Sequence, residues 1–101
     1  MTKNFSALRR GVGIAVGTSN DTKPLGPDLA LVGASVDVLI DNRGAADAYF
    51  LLGGPDVTAV VAEAFRIPAG AIAVYGKGNA THIATVGVQA TNLVVFLGEG
   101  L

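Results

Sequence analysis

Beyond Leu29 the chain is built from short apolar stretches, and glycine-containing turns interrupt them roughly every 8–12 residues. This spacing constrains the fold strongly, because helices usually need longer stretches with apolar residues at a period of about 3.6. Short strands that turns separate so regularly are typical of a β-sandwich or a small β-barrel. The sequence therefore predicts an all-β domain.

The clearest predicted strand covers residues 35–41. Its side chains alternate, with Val36, Val38 and Ile40 on one face and Asp37, Leu39 and Asp41 on the other. Asn42-Arg43-Gly44 follows and predicts a turn, in which Gly44 can adopt positive φ without steric cost. A second apolar stretch at 48–52 completes a predicted β-hairpin with the first strand.

The remaining predicted strands follow the same pattern. Ile67-Pro-Ala-Gly70 is typical of a type I turn, with proline second and glycine fourth. Three further strands are predicted at 71–75, 81–86 and 93–97. Residues 57–66 admit two interpretations, since their apolar residues fall at helical spacing between Asp56 and Pro68. Their β-branched residues favour a strand with a bulge, which is the interpretation we prefer.

The N-terminal third has a different texture. The apolar run 11–17 follows Arg9-Arg10, but it is short and lacks a small-x-small cleavage pattern, so it predicts a first strand and not a signal peptide. Residues 18–28 hold two prolines and many short polar residues, which predict an extended loop or arm. We divide the chain into residues 1–31, an N-terminal arm with the first strand and a loop, and residues 32–101, the sandwich.

Composition narrows the possible partners. Of the 101 residues, 50% are hydrophobic, 15% are charged, and the net charge is −1. Disorder is excluded, and so few charges predict that part of the surface meets other protein. Nucleic-acid binding is not expected, because no strong positive field exists. No membrane span is expected either, because the longest uncharged stretch, 78–98, contains several polar residues.

Two glycine-rich segments resemble nucleotide-binding loops only superficially. In residues 11–17 the third glycine comes one position late for the dinucleotide fingerprint. In residues 70–78 five residues separate the first two glycines of a phosphate-loop pattern, and Gly78 stands where Ser or Thr would bind magnesium. Turns between strands explain both segments, so no cofactor and no small-molecule substrate are predicted.

Catalytic and metal-binding chemistry is equally sparse. The chain has no cysteine and a single histidine, His82, for which packing or hydrogen bonding is the favoured role. Asp37 and Asp41 share a strand face, but four residues of strand place them ~13 Å apart, too far for a glycosidase pair. A calcium site that includes Asp47 is an alternative interpretation, but solvated charges at the strand edge are favoured. We predict no catalytic residue, no metal site and no enzyme activity.

The N-terminus carries the one local basic cluster, Lys3 with Arg9 and Arg10. Phe5 and Leu8 are interleaved with these charges. The pattern is consistent with a short arm that docks on an acidic neighbour, although a frayed terminus is the favoured interpretation. If the arm docks, the predicted contact residues for a shell or a second subunit are Phe5, Leu8, Arg9 and Arg10.

Several spaced motifs resemble the small head decoration, or cement, proteins of tailed bacteriophages. The resemblance covers about two thirds of the chain, whereas residues 1–31 have no counterpart and the helical spacing of 57–65 departs from the pattern. The motifs are Val36-Asp-Val-Leu-Ile-Asp-Asn-Arg-Gly44, Ala48-Tyr-Phe-Leu-Leu-Gly53, Ile67-Pro-Ala-Gly70, Thr81-His-Ile-Ala84 and Gly98-Glu-Gly-Leu101.

The resemblance implies a β-sandwich of jelly-roll type, preceded by the extended N-terminal arm. It implies a structural protein of the virion that is made in the bacterial host cytoplasm and binds the outer surface of the capsid. The implied partners are the major capsid protein and further copies of the chain, as a trimer by preference or a dimer. A tail, fibre or head-vertex component with structural or adhesive function is the alternative.

Overall fold

A computed structural model of the chain describes residues 6–7, 11–25, 37–76 and 78–99. These residues contain β-strands and turns and no helix, which confirms the predicted all-β class. The strands are β1 (Ser6–Ala7), β2 (Val12–Val16), β3 (Asp21–Pro24), β4 (Asp37–Asn42), β5 (Ala48–Gly53), β6 (Phe65–Ile67), β7 (Ile72–Gly76), β8 (His82–Val86) and β9 (Thr91–Glu99).

The strands form two antiparallel sheets. In the five-stranded sheet the order is β1-β9-β4-β7, and β2 also pairs with β9. In the four-stranded sheet the order is β3-β8-β5-β6. The pairs are nested along the chain, because β5 pairs with β6, β4 with β7, β3 with β8 and β2 with β9. A long nested hairpin rolled into two facing sheets is a jelly roll, so the predicted β-sandwich of jelly-roll type is confirmed.

The core lies between the two sheets, where the alternation of each strand places its apolar side chains. In β4 the predicted alternation is confirmed, since Val38 and Ile40 are fully buried while Asp37, Leu39 and Asp41 are partly exposed. Val36 lies outside the described residues. Side chains from both sheets fill the interior, among them Ile14, Val16, Phe50, Ile67, Ile83, Leu93, Val95 and Leu97.

The predicted β-hairpin between the strand at 35–41 and the apolar stretch at 48–52 is wrong. β4 belongs to the five-stranded sheet and β5 to the four-stranded sheet, so residues 43–47 cross between the sheets and do not join neighbouring strands. The physical reason is Asn42, whose side chain is completely buried at the end of β4. A buried amide must find hydrogen-bond partners, and here they come from several segments at once.

Asn42 holds the crossing in place with four side-chain hydrogen bonds. Its Nδ2 donates to the backbone carbonyls of Ala46 and Ile67, each at 2.9 Å. Its Oδ1 accepts from the Gly44 N–H at 3.1 Å and from Thr91 Oγ1 at 3.0 Å. The amide thereby ties the ends of β4, β6 and β9 together at one corner of the sandwich.

Gly44 is required for a reason other than the predicted one. Among the described glycines positive φ occurs at Gly70 and Gly78, and not at Gly44. A Cβ at Gly44 would instead overlap Thr91 Oγ1 and lie 2.6 Å from the backbone nitrogen of Asn92. The absence of a side chain therefore lets the crossing segment approach β9 closely.

The turn between β6 and β7 also differs in register from its prediction. The Ala71 N–H donates to the carbonyl of Pro68 at 3.0 Å, so the turn covers residues 68–71 and not 67–70. Gly70 is its third residue and has a φ of 78°. That conformation suits a glycine at the third position of a type II turn and not the fourth position of a type I turn.

Residues 57–66 form neither the preferred strand nor a helix over most of their length. Residues 54–64 are a long connection, and regular structure returns at β6 (Phe65–Ile67). The Glu63 and Ala64 N–H groups both donate to the Val60 carbonyl at 3.0 Å, which makes one local turn. This irregular path serves packing, because the segment lies over the outer face of the four-stranded sheet, as described below.

The predicted loop at 18–28 is wrong in part. Asp21–Pro24 forms β3, which pairs with β8 along the edge of the four-stranded sheet. Leu25 is buried in the core, and its N–H donates to the Thr81 carbonyl at 2.9 Å. Residues 26–36 lie outside the described residues, so the division of the chain at residue 31 stays a prediction.

Candidate functional site

The residues that carry titratable chemistry are spread over the fold. His82 is half-buried at the start of β8, with Nδ1 2.8 Å from Thr81 Oγ1, which matches the predicted hydrogen-bonding role. The Asp41 carboxylate pairs with Arg43 at 2.7 Å, and Asp47 lies 3.9 Å from Arg66. Within the described ranges no three His, Asp or Glu residues stand close enough to hold a metal ion.

The two glycine-rich segments form parts of the sheets. The run 11–17 contains β2, so the predicted strand is confirmed, although the short β1 precedes it. Residues 70–76 comprise the end of the tight turn and β7. Their glycines are therefore accounted for by strand pairing and turn geometry.

The predicted contact residues Phe5, Leu8, Arg9 and Arg10 lie outside the described residues. Their role in contacting a shell or a second subunit stays a prediction. The described surface nevertheless carries a different candidate, which becomes visible when the outer faces of the two sheets are compared.

The outer face of the four-stranded sheet is covered by the connection 54–64. Beneath this connection Ala59, Ala84 and Val86 form a buried cluster, and Tyr49, Val57 and Ala64 pack against it. Two side chains fasten the connection to the sheet edge. Thr22 Oγ1 donates to the Val57 carbonyl at 2.6 Å, and Asn20 Oδ1 accepts from the Ala59 N–H at 2.7 Å.

The outer face of the five-stranded sheet is also apolar but lacks such a cover in the described part of the chain. Strand register sets its composition, because directly paired residues of antiparallel strands share a face. Leu39 lies opposite both Val74 and Phe96, and Asp41 lies opposite both Ile72 and Val94. We define the open face as these five apolar side chains: Leu39, Ile72, Val74, Val94 and Phe96.

Neither buried cluster of the described residues includes a member of the open face. Ile72 is 62% exposed and the other four are partly exposed. A Cβ at Gly11 would lie 2.8 Å from the Phe96 ring and closer still to Val94, so the lack of a side chain there lets both residues pack over its backbone. The open face is thus an exposed apolar patch on a β-sheet, a form that suits contact with another protein.

Charges lie beside the open face and within it only sparsely. Asp37 and Asp41 project from β4 on the same side, and Arg43 neutralises Asp41 through an exposed ion pair. The described edge strands β2 and β7 contain no charged residue, since β2 reads Val-Gly-Ile-Ala-Val and β7 reads Ile-Ala-Val-Tyr-Gly. In contrast, the edge strand β3 of the other sheet reads Asp-Thr-Lys-Pro, which opposes strand addition.

One sequence signal could have revealed this surface. The run Leu93-Val-Val-Phe-Leu97 is apolar at every position, whereas a strand with one solvated face alternates. Leu93, Val95 and Leu97 fill the core, so Val94 and Phe96 must face outward. A strand that is apolar on both faces indicates that both faces are covered in the working protein.

A hollow of about 520 Å³ opens where β6 and β7 meet at one side of the sandwich. Aromatic rings line it: Phe50 and Tyr75 lie 4.9 Å apart between centroids, and Phe65 and Tyr75 lie 5.9 Å apart. The described residues that line it include no charged side chain. The rings mainly pack against each other, and Phe65 is the most exposed of the three, at 57%.

The described residues include no helix that could span a membrane. No protein-family model matches the sequence, and no curated protein matches it. Among solved structures, two of the tobacco streak virus coat protein, one of them titled as a dimer, are similar to the chain with TM-scores of 0.46 and 0.44. Each is 12% identical and covers 99% of this chain and 87% of the viral chain. A similarity at this level assigns neither a family nor a function.

Proposed function

We propose that the chain is a capsid decoration, or cement, protein that binds the outer surface of a bacteriophage head. In this proposal it is a component of the virion, made in the bacterial host cytoplasm, and its partner is the major capsid protein. Two lines of argument support the proposal. The spaced motifs resemble those of head decoration proteins, and the jelly roll is an architecture that viral capsid proteins use.

The observation that carries the proposal is the open face. In the described part of the chain, the connection 54–64 covers one outer sheet face, whereas the other outer face is apolar and partly exposed. Exposed apolar area of this kind is costly in a solitary protein and typical of one that works in contact with another protein. A decoration protein has this requirement, because its site exists only on the assembled shell.

The proposed mechanism involves binding alone and no catalysed reaction. A ligand that binds the assembled lattice and not its separated subunits stabilises the lattice by mass action. Burial of the open face would supply about 25 cal/mol for each Å² of apolar surface removed from water. An oligomer would engage several capsomers at once, which raises the overall affinity without a strong single contact.

Quantification of the chain in purified virions tests the proposal directly. A decoration protein is expected at copy numbers comparable to those of the major capsid protein. A component present in only a few copies per particle would contradict decoration and would favour the alternative of a tail, fibre or head-vertex protein.

A binding experiment with undecorated heads tests the surface. We expect Val94→Lys to abolish binding, because it places an ammonium group in the middle of the open face. Val60→Lys is the matched control, since Val60 is 47% exposed on the connection that covers the other sheet. Unchanged binding of a folded Val94→Lys variant would show that the open face is not the docking surface.

The adhesive form of the alternative has its own candidate site in the aromatic hollow. Phe65 is the one ring there with more than half its surface exposed. Host glycans bound by stacking on this ring would give a signal on a glycan array that Phe65→Ala removes. Without such a signal, decoration accounts better for the described surface.

A further inference from the structure

Strand β7 is an edge strand whose free side is ready for hydrogen bonding. Within the described residues it pairs with β4 alone. The Asn42 N–H donates to the Ala71 carbonyl at 2.9 Å, so residue 71 directs its carbonyl toward β4. Because these directions alternate along a strand, Ala73 and Tyr75 also face β4, and Ile72, Val74 and Gly76 present their N–H and C=O groups outward.

The sequence of β7 is self-complementary in one antiparallel register. If Val74 lies opposite Val74 of a second copy, Ile72 lies opposite Gly76 and Ala73 lies opposite Tyr75. Ile72 then faces Gly76 on the outer face, and Tyr75 faces Ala73 on the core side. Both of these large side chains therefore meet a small residue. The same register brings the outward backbone groups of three residues into pairs, giving about six hydrogen bonds across the contact.

Electrostatics permits two copies to approach along this strand. β7 carries no charged residue. Asp37 and Asp41 are the described carboxylates on the outer face of β4, one strand inward, opposite Gly76 and Ile72. In the proposed register Asp41 of one copy lies in the same row as Asp37 of the second copy. They are three strand spacings of about 4.8 Å apart, or ~14 Å, which is beyond the ~10 Å screening length at 0.1 M salt.

Exposed apolar side chains flank β7 on both sides. Ile72 is 62% exposed on the outer face. Phe65 is 57% exposed and lies next to Tyr75 at the same side of the sandwich. A second copy placed along β7 would cover both, whereas a charged or proline-containing edge would repel it.

We propose that two copies of the chain associate through antiparallel pairing of β7 with β7, with Val74 on the two-fold axis. The five-stranded sheets of the two copies become one continuous sheet, and their open faces merge into one larger surface. This inference concerns the free edge and does not depend on the decoration function, since the dimer would exist without a capsid. It predicts a dimer where the sequence resemblance favoured a trimer.

Cross-linking through an introduced thiol tests the register, because the native chain has no cysteine. We expect Val74→Cys to give a dimer with a short bis-thiol cross-linker, since paired Cβ atoms are about 4.5–5.5 Å apart across a strand pair. Val88→Cys is the control, because Val88 is 68% exposed but belongs to the β8–β9 connection and not to β7. Equal cross-linking of both variants would overturn the register.

Sedimentation of the full chain tests the dimer itself. We expect the native chain to be dimeric at micromolar concentration and Val74→Pro to raise the dimer dissociation constant about 100-fold or more, because proline removes a central donor. The Val74 N–H faces away from β4, so the fold should survive, and circular dichroism checks this. Ile72→Lys gives a second disruption that leaves the backbone unchanged. A native chain with monomer or trimer mass would refute the proposal.

Discussion

The two outer faces of the sandwich are both apolar, but they differ in how far they are shielded from water. On the four-stranded sheet, Ala84 and Val86 of β8 lie under the connection 54–64 and are buried within one chain. On the five-stranded sheet, Val94 and Phe96 of β9 occupy the equivalent outward positions and remain partly exposed. Both strands are rich in apolar residues, so the difference lies in what covers them.

The sheet edges repeat this contrast. β3 exposes Asp21, Lys23 and Pro24 at the edge of the covered sheet, which discourages strand addition. β2 and β7 end the open sheet without a charge or a proline. At β3 the covered sheet is therefore protected against strand addition, whereas β2 and β7 leave the open sheet without this protection.

The largest expected difference comes from the same substitution on the two faces. Val86→Lys places a charged group under the connection and removes a buried side chain, so we expect it to lower the free energy of unfolding by about 3 kcal/mol or more. Val94→Lys should lower it by less than about 1 kcal/mol, because its ammonium reaches water. Thermal or urea unfolding of both variants measures the difference.

Equal losses in the free energy of unfolding for the two variants would contradict the proposed difference between the two faces. They would show that the open face is as buried in solution as the covered one, as in a dimer that involves the whole face. Repeating the unfolding at several protein concentrations separates these cases, since the stability of an associated species depends on concentration.

A smaller loss of stability is expected when a hydrogen bond that holds the connection 54–64 to the sheet edge is removed. Asn20→Ala removes the acceptor of the Ala59 N–H, and an unpaired donor there should cost about 1–2 kcal/mol. Asn92→Ala is the matched control, because Asn92 is exposed on β9. Limited proteolysis should cut the connection 54–64 faster in Asn20→Ala than in the control. Identical cleavage rates would show that Asn20 does not hold the cover.

The regular elements of the fold could be predicted because their information is local. Val38 and Ile40 alternate with partly polar residues, and this pattern alone specifies a strand with one buried face. The crossing after β4 could not be predicted in this way. Asn42 bonds Ile67 and Thr91, which are 25 and 49 residues away, and no local turn signal records such partners.

The connection 54–64 as a cover and the open face were not predicted, for related reasons. Residues 57–64 combine helical spacing with β-branched residues, and the structure uses neither, because Val57, Ala59 and Ala64 only need to reach the sheet below. The predicted contact residues lie in the N-terminal basic cluster, because charged residues are easily recognised in a sequence. The run 93–97 held the relevant signal, but its outward half is recognised only when strand register is known.

The smallest predicted effects on stability concern two single threonine hydroxyl groups, one on β8 and one on β9. Thr85 Oγ1 is buried without a hydrogen-bond partner among the described residues, whereas Thr91 Oγ1 donates to Asn42 Oδ1. Thr85→Val keeps the shape and removes an unpaired polar group, so it should raise the free energy of unfolding by about 1 kcal/mol. That gain corresponds to roughly 4–8 °C in Tm for a domain of this size.

Thr91→Val is the matched control and should have the opposite sign. It leaves one acceptor of the buried Asn42 amide with a single remaining donor, the Gly44 N–H, and should cost about 1 kcal/mol. Thermal unfolding of the two variants side by side measures both. If Thr85→Val were destabilising as well, the Thr85 hydroxyl would have a partner in solution, such as a bound water. The interior of β8 would then be more polar than its four consecutive buried side chains indicate.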